Sequence, residues 1–311
     1  MTSRGNAPSA TWLALATVYV VWGSTYLAIA VVIESMPPLL GLGTRFIAAA
    51  LILGITLTLA RGPAVLRVTR VEAMGSALIG FLLLGCGIGI LTLAERYVPT
   101  GVAALIVAVV PSWIVLLRLT DGQRPHLWTW LGVVVGLVGV AVLLRPGTAS
   151  TPDNTTSIWG LAVVFGSACW ALGSFITPRL SLPANAFTLT TYEMLFGGLV
   201  LCLAGLARGE RINGAVLDDA TMRSWSAWLY LVLIGSIVAY SAYVWLLGTA
   251  PLSLVATYAY VNPVVAVLLG ALVLGESLTA NVVVGGAIVV GGVALVVSGE
   301  RSPQLEKAAD R

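Results

Sequence analysis

Charge is scarce in this 311-residue chain, where Asp, Glu, Lys and Arg together make up 9% of the residues. Histidine is scarcer: His126 is the only one, and it stands beside an expected loop. A histidine-based metal site or a catalytic triad within the chain is thereby excluded. Three cysteines (Cys86, Cys169, Cys202) stand singly in apolar runs, with no Cys-x-x-Cys spacing. They read as packing residues and not as disulfide or metal ligands. The net charge of +3 is spread over short loops, so no basic patch awaits nucleic acid. Carboxylate clusters and paired nucleophiles and bases are also missing. A membrane-embedded enzyme is therefore disfavoured, and no cofactor is expected.

What fills the chain is apolar. Hydrophobic residues make up 59% of it and the mean hydropathy is +0.99. A water-soluble fold has no means of hiding that much apolar surface, so the class is an all-α polytopic membrane protein in contact with lipid. Ten segments are long and apolar enough to span a bilayer: 11–32, 39–60, 73–94, 99–119, 127–144, 158–178, 187–206, 226–247, 251–274 and 280–298. Short loops marked by Pro, Gly or charge separate them, as at Met36-Pro37-Pro38 and Arg61-Gly62-Pro63. The longest loop, 207–225, holds Asp218 and Asp219, and the charged tail 299–311 is expected to be disordered. Arg4 before segment one and Ala28-Ile29-Ala30 within it resemble a secretory signal. The run is too long for a signal core and has a counterpart in segment six, so it is expected to stay.

An even number of spans puts both termini on one side. With the termini inside, the cytoplasmic loops and tails carry Arg4, Arg61, Arg67, Arg70, Arg118, Arg124, Arg179, Arg301, Lys307 and Arg311. The other side carries Arg96, Arg145, Arg208, Arg211 and Arg223. Ten against five favours cytoplasmic termini in a cell inner membrane.

The chain repeats itself at about 150 residues. Pro99 and Pro111 recur as Pro251 and Pro263 at an offset of 152. Gly132 and Gly139, followed by Val140-Ala141, recur as Gly285 and Gly292, followed by Val293-Ala294, at an offset of 153. Trp22-Gly23-Ser24 is echoed by Trp170 with Gly173-Ser174, and Ala60-Arg61-Gly62 by Ala207-Arg208-Gly209. Each repeat, 11–144 and 158–298, holds five spans. An odd number turns the second copy upside down relative to the first. Inverted repeats are the sequence mark of alternating-access transporters, with the solute site between them near the midplane. Helices five and ten, rich in glycine, read as a packing contact between repeats or subunits.

The stretch 252–276 is apolar enough to lie in a membrane, yet it carries Thr257, Tyr258, Tyr260, Asn262 and Pro263 in its first half and Glu276 at its end. Pro263 has no N–H, so the Ala259 carbonyl loses its helical partner and a bend is expected there. Polar groups beside a bend call for a cavity, because lipid does not tolerate them.

These residues resemble the ten-helix EamA branch of the drug/metabolite transporter superfamily. The matching stretches are Val21–Ile29, Gly43-Thr44-Arg45-Phe46, Ala94-Glu95 before Val98-Pro99-Thr100-Gly101, Glu193-Met194-Leu195, and Ala259-Tyr260-Val261-Asn262-Pro263-Val264 through Gly275-Glu276. The resemblance implies inner-membrane export of small metabolites (amino acids or related compounds) or drugs. It also implies a central cavity lined by helices one, three, four, six, eight and nine. Ile88 and Ser241 stand where relatives often carry Asn, which implies a less polar cavity.

On those helices the candidate solute-binding residues are Trp22, Ser24, Tyr26, Trp113, Trp170, Ser174, Tyr240, Ser241, Thr257, Tyr258 and Asn262. Trp12, Trp128, Trp130, Trp225 and Trp228 sit at span ends and read as an interfacial belt. Pro111 and Pro263 are candidate hinges. Glu193 and Glu95 are candidate coupling carboxylates, Arg45 is expected to snorkel along an interface, and Glu276 is expected to fix a helix end. The alternatives are a bidirectional facilitator of sugars or amino acids and, from another class, a non-transporting scaffold or receptor. A homodimer is compatible with the sequence, which leaves the oligomeric state open.

Overall fold

The computed structural model describes residues 7–122, 125–144, 155–211 and 219–309. Arg4, Arg124, Arg145, Arg311 and Asp218 lie outside the described residues, as do the side chains of Tyr260, Arg301 and Lys307. Among the described residues the chain forms ten helical rods. They are α1 (Ala7–Ile33), α2 (Pro38–Arg61), α3 (Arg70–Ala94), α4 (Thr100–Asp121), α5 (Leu127–Leu143), α6 (Thr155–Ile176), α7 (Ala186–Ala207), α8 (Met222–Thr249), α9 (252–273) and α10 (Ala280–Ala309). Seven of these are long and apolar enough to cross a membrane by themselves; Leu127–Leu143, Val261–Val273 and Ala280–Val296 are shorter apolar helices. The backbone of α10 runs past the expected span end at 298 and through the tail expected to be disordered. Gln304–Ala309 is rich in good helix formers.

Local chemistry sets the helix starts. Pro38 opens α2, where a missing N–H costs nothing. Thr69 and Glu72 close a capping box at the start of α3. Asn185 accepts from Phe187 N and Thr188 N to open α7, and Thr221 accepts from Ser224 N to open α8. Leu51, Ile55, Leu59, Met74, Leu131, Val134, Leu137 and Leu272 stay exposed on the outer faces, as a lipid solvent requires.

The halves are inverted, and glycine contacts display it. A Cβ on Gly43 would fall 2.9 Å from Cys202 N, while Gly54 faces Thr191 further down. Thus α2 runs antiparallel to α7, its counterpart. A Cβ on Gly132 would fall 2.5 Å from Val296 N, and one on Gly139 would fall 2.7 Å from Val289 N. So α5 runs antiparallel to α10, with backbones touching where any larger residue would separate them. The contact is within one chain, between the two repeats.

Two irregularities recur in both halves. A wide π-helical stretch, Phe81–Ile88 in α3, is matched by Leu231–Tyr240 in α8. A tight turn interrupts α4, where Val109 N donates to Ile106 O at 3.2 Å, and another interrupts α9, where Thr257 N donates to Leu254 O at 3.2 Å. The break in α9 therefore lies at Ala256–Thr257, and Pro263 sits inside the intact helix Tyr258–Val273. A further break precedes the proline: an i→i−3 turn ends the short helix Leu252–Val255 before Pro263 is reached.

Candidate solute cavity

A buried cavity of about 70 Å³ lies between the halves, large enough for more than one water. From the first half it is lined by Trp22, Thr25, Tyr26 and Ile29 of α1, Arg45 and Phe46 of α2, Leu84, Gly87, Ile88 and Leu91 of α3, and Val107 of α4. The second half adds Val163, Gly166, Ser167 and Trp170 of α6, Gly235 and Tyr240 of α8, and Tyr258 and Asn262 of α9. Both π-helical stretches face it, which fits the frequent use of such stretches at functional sites. The wall includes α2 in addition to the six helices that the resemblance implied.

Trp22 is the centre of the aromatic wall. Its ring meets Trp170 edge-on at 5.4 Å, Tyr258 edge-on at 5.4 Å and Tyr243 at 4.7 Å. Such edge-to-face pairs each add about 0.5–1.5 kcal/mol beyond burial and hold the rings in place. Trp170 Nε1 donates to the Tyr243 hydroxyl at 3.1 Å, and Ser174 Oγ lies 2.6 Å from that same hydroxyl. With its amide turned so that the nitrogen faces the acceptors around it, the Asn262 side chain donates to the carbonyls of Tyr258 (3.3 Å) and Tyr19 (3.0 Å), tying α9 to α1.

Of the eleven candidate binding residues, Trp22, Tyr26, Trp170, Tyr240, Tyr258 and Asn262 line the cavity. The other five do not, and four of them are held elsewhere by hydrogen bonds. Ser24 bonds Val21 O and the Tyr230 hydroxyl. Ser174 is spent on Trp170 O and Tyr243. Thr257 is taken by Leu254 O and the Tyr19 hydroxyl. Ser241 is buried outside the wall. Trp113 sits behind the wall, where its Nε1 donates to Ser167 Oγ at 3.0 Å and thereby holds a lining residue.

The intramembrane charges separate clearly. Glu193 is 1% exposed, and its Oε2 accepts from the Tyr240 hydroxyl at 3.0 Å, so it supports a lining residue from behind. Glu276 accepts from Thr100 N at 2.6 Å and Gly101 N at 3.1 Å, capping α4. That meets the expectation that it fixes a helix end. Arg45 is 4% exposed and lines the cavity, so the expected snorkelling is corrected: the side chain points inward, with its guanidinium carbon 4.2 Å from the centre of the Phe46 ring. Sequence reasoning missed Arg45 as a lining residue. An arginine seven positions inside a span was the available signal. Pro111 lies in the first turn after the break in α4. Among the described residues no cluster of His, Cys, Asp or Glu is arranged to hold a metal ion.

Two inverted five-helix halves enclosing a buried, aromatic-walled cavity inside a lipid-facing bundle define a membrane transporter. The chain belongs to the EamA-like transporter family, whose pattern matches residues 9–145 and 157–298. It is similar to the inner membrane transporter YedA of Escherichia coli K12, at 38% identity over 86% of this chain and 83% of that one. It is also similar to protein PecM of Dickeya dadantii, at 27% identity over 85% of this chain and 84% of that one. A protein of Escherichia coli K12 named "probable amino-acid metabolite efflux pump" is 26% identical over 91% of this chain and 93% of that one. A solved crystal structure shares the fold with a TM-score of 0.65 at 20% identity, covering 94% of this chain and 98% of the other. Membership places the chain among transporters and not among membrane enzymes.

Proposed function

We propose that this protein exports small metabolites, amino acids or related compounds among them, or drugs across an inner membrane. The two repeats, 11–144 and 158–298, alternate access to the cavity between them. The observation that carries this reading is the cavity itself, lying between inverted halves and walled by Trp22, Trp170, Tyr240, Tyr258 and Asn262. Aromatic faces hold apolar or cationic groups, while Asn262 offers polar recognition. The relative named as an efflux pump supports the same direction. The test is counterflow in proteoliposomes with labelled amino acids, sugars and cationic dyes. The native protein should move at least one class. Asn262→Leu should lower that transport by roughly tenfold or more, the loss expected when a polar recognition group is removed, with expression unchanged. A folded preparation that moves nothing sinks the reading. Equal counterflow in both directions, with no preference for efflux, would favour the facilitator.

We place both termini in the cytoplasm on the loop charges. Cysteines introduced as Arg61→Cys and Asp219→Cys should be labelled from the cytoplasmic and the opposite side, respectively. The reverse pattern would overturn the orientation.

A further inference from the structure

Arg45 lines the cavity, is almost fully buried, and has no hydrogen-bond partner at Nε or Nη1. A guanidinium carries five donors and stays charged, so burying it unpaired is costly. Buried charges are ordinarily paired, and the natural partner here is Glu95. Both Glu95 carboxylate oxygens are likewise buried without a hydrogen bond. The two residues interact electrostatically but do not close to an ion pair. Arg45 instead rests on the Phe46 ring and faces the space between the halves.

We propose that Arg45 is the specificity-determining anchor for a carboxylate on the transported solute. The inference rests on the transport reading of this same cavity. A planar guanidinium matches a carboxylate through parallel N–H donors, which a neutral amide or an ammonium does not reproduce. The remainder of the solute lies against Trp22, Trp170 and Tyr258, whose rings accept an apolar chain or an ammonium group equally well. No hydrogen bond joins Glu95 to Arg45, so the Nε and Nη1 donors stay available to a solute. The bound solute is then a carboxylic acid or an amino acid, and a simple cation is a poor substrate.

The test uses matched series built on an aromatic, a branched aliphatic and a short-chain skeleton. Each series contains the carboxylate, its primary amide and the amine that lacks it. Counterflow by the native protein should favour the carboxylate over its amide by roughly 30-fold or more, the scale expected when one partner of a buried charge pair is removed. Arg45→Gln should collapse that ratio toward one. Arg45→Lys, which keeps the charge but loses the fork, should give an intermediate ratio and covers the case in which the glutamine variant fails to fold. Equal transport of carboxylate and amide by the native protein overturns the anchor, as does an undiminished ratio in either folded variant. If the native protein moves cationic dyes and none of the carboxylates, the anchor falls and the transport reading stands. If it moves nothing, both fall.

Discussion

In the first half, α2 turns at Gly62 and continues as Pro63; in the second, α7 turns at Gly209 and continues as Glu210. The same substitution of character recurs two helices later. The turn at Gly122 after α4 is followed in sequence by Gln123, and the turn at Gly275 after α9 by Glu276. All four glycines have positive φ, which a residue with a side chain rarely adopts. Both glutamates fold back over a glycine, Gly205 or Gly270, whose missing Cβ leaves room for the carboxylate. Each then reaches across to the other half. Glu210 accepts from Leu39 N (3.3 Å) and Leu40 N (2.9 Å) at the start of α2, while Glu276 accepts from Thr100 N and Gly101 N at the start of α4. A second-half carboxylate thus caps the helix that is its own helix's counterpart.

The difference teaches that inverted symmetry need not give two equal ends. At the end holding Glu210 and Glu276, negative charge meets two helix N-termini, which is electrostatically favourable. At the opposite end the halves are joined by neutral bonds, Thr188 Oγ1 to Val65 O at 3.0 Å and the Tyr192 hydroxyl to Leu66 O at 2.7 Å. The Arg179–Asp121 pair joins α6 to α4 there, but its side chains are 42% and 34% exposed, and exposed pairs contribute little. The halves are tied more firmly at one end of the bundle than at the other.

The largest expected effect attacks that inequality. Glu276→Ala should lower stability by about 1–3 kcal/mol, because two backbone donors lose a charged acceptor. Glu210→Ala should cost somewhat less, since its bond to Leu39 N is long at 3.3 Å. Asp121→Asn, at the other end, should cost under about 0.5 kcal/mol. Thermal unfolding of the purified variants in detergent measures all three. If Asp121→Asn proves as damaging as Glu276→Ala, the two ends are equally tied and the comparison fails.

A second contrast concerns charge inside the membrane. Arg45 on α2 and Glu193 on α7 hold nearly equivalent places in the two halves, with opposite signs. Glu193 has the Tyr240 hydroxyl; Arg45 has an aromatic ring and an open cavity. Much of the architecture was legible beforehand because hydropathy, proline spacing and glycine spacing are one-dimensional patterns. They yielded the spans, the repeat and the α5–α10 contact. The wall of the cavity was legible only in part. Trp22, Trp170, Tyr258 and Asn262 are large or polar groups on the right helix face. Ser24, Ser174 and Thr257 sit on the same helices, but each finds a backbone carbonyl or tyrosine hydroxyl nearby. A short hydroxyl inside a helix satisfies itself locally, and sequence spacing does not reveal that. The direction of Arg45 was also hidden, since snorkelling outward and reaching inward start from the same position.

The smallest expected effect tests whether proline makes the breaks. Both are tight i→i−3 turns, Val109 to Ile106 in α4 and Thr257 to Leu254 in α9, the second lying about one helical turn earlier relative to its proline. Pro111 follows the first break within one turn, where its fixed φ suits a helix start and its missing N–H is not needed. Pro263 follows the second by six residues and interrupts the helix interior, leaving the Ala259 carbonyl without its donor. The turn in α9 thus forms with no proline in the position that Pro111 occupies in α4. Replacing each by alanine should therefore move stability in opposite directions. Pro263→Ala restores a helical bond and should raise the unfolding temperature. Pro111→Ala frees the unfolded chain and should lower stability by about 0.4–1 kcal/mol. A loss of similar size at both positions would mean that the prolines, and not the packing of the two halves, hold the breaks in place.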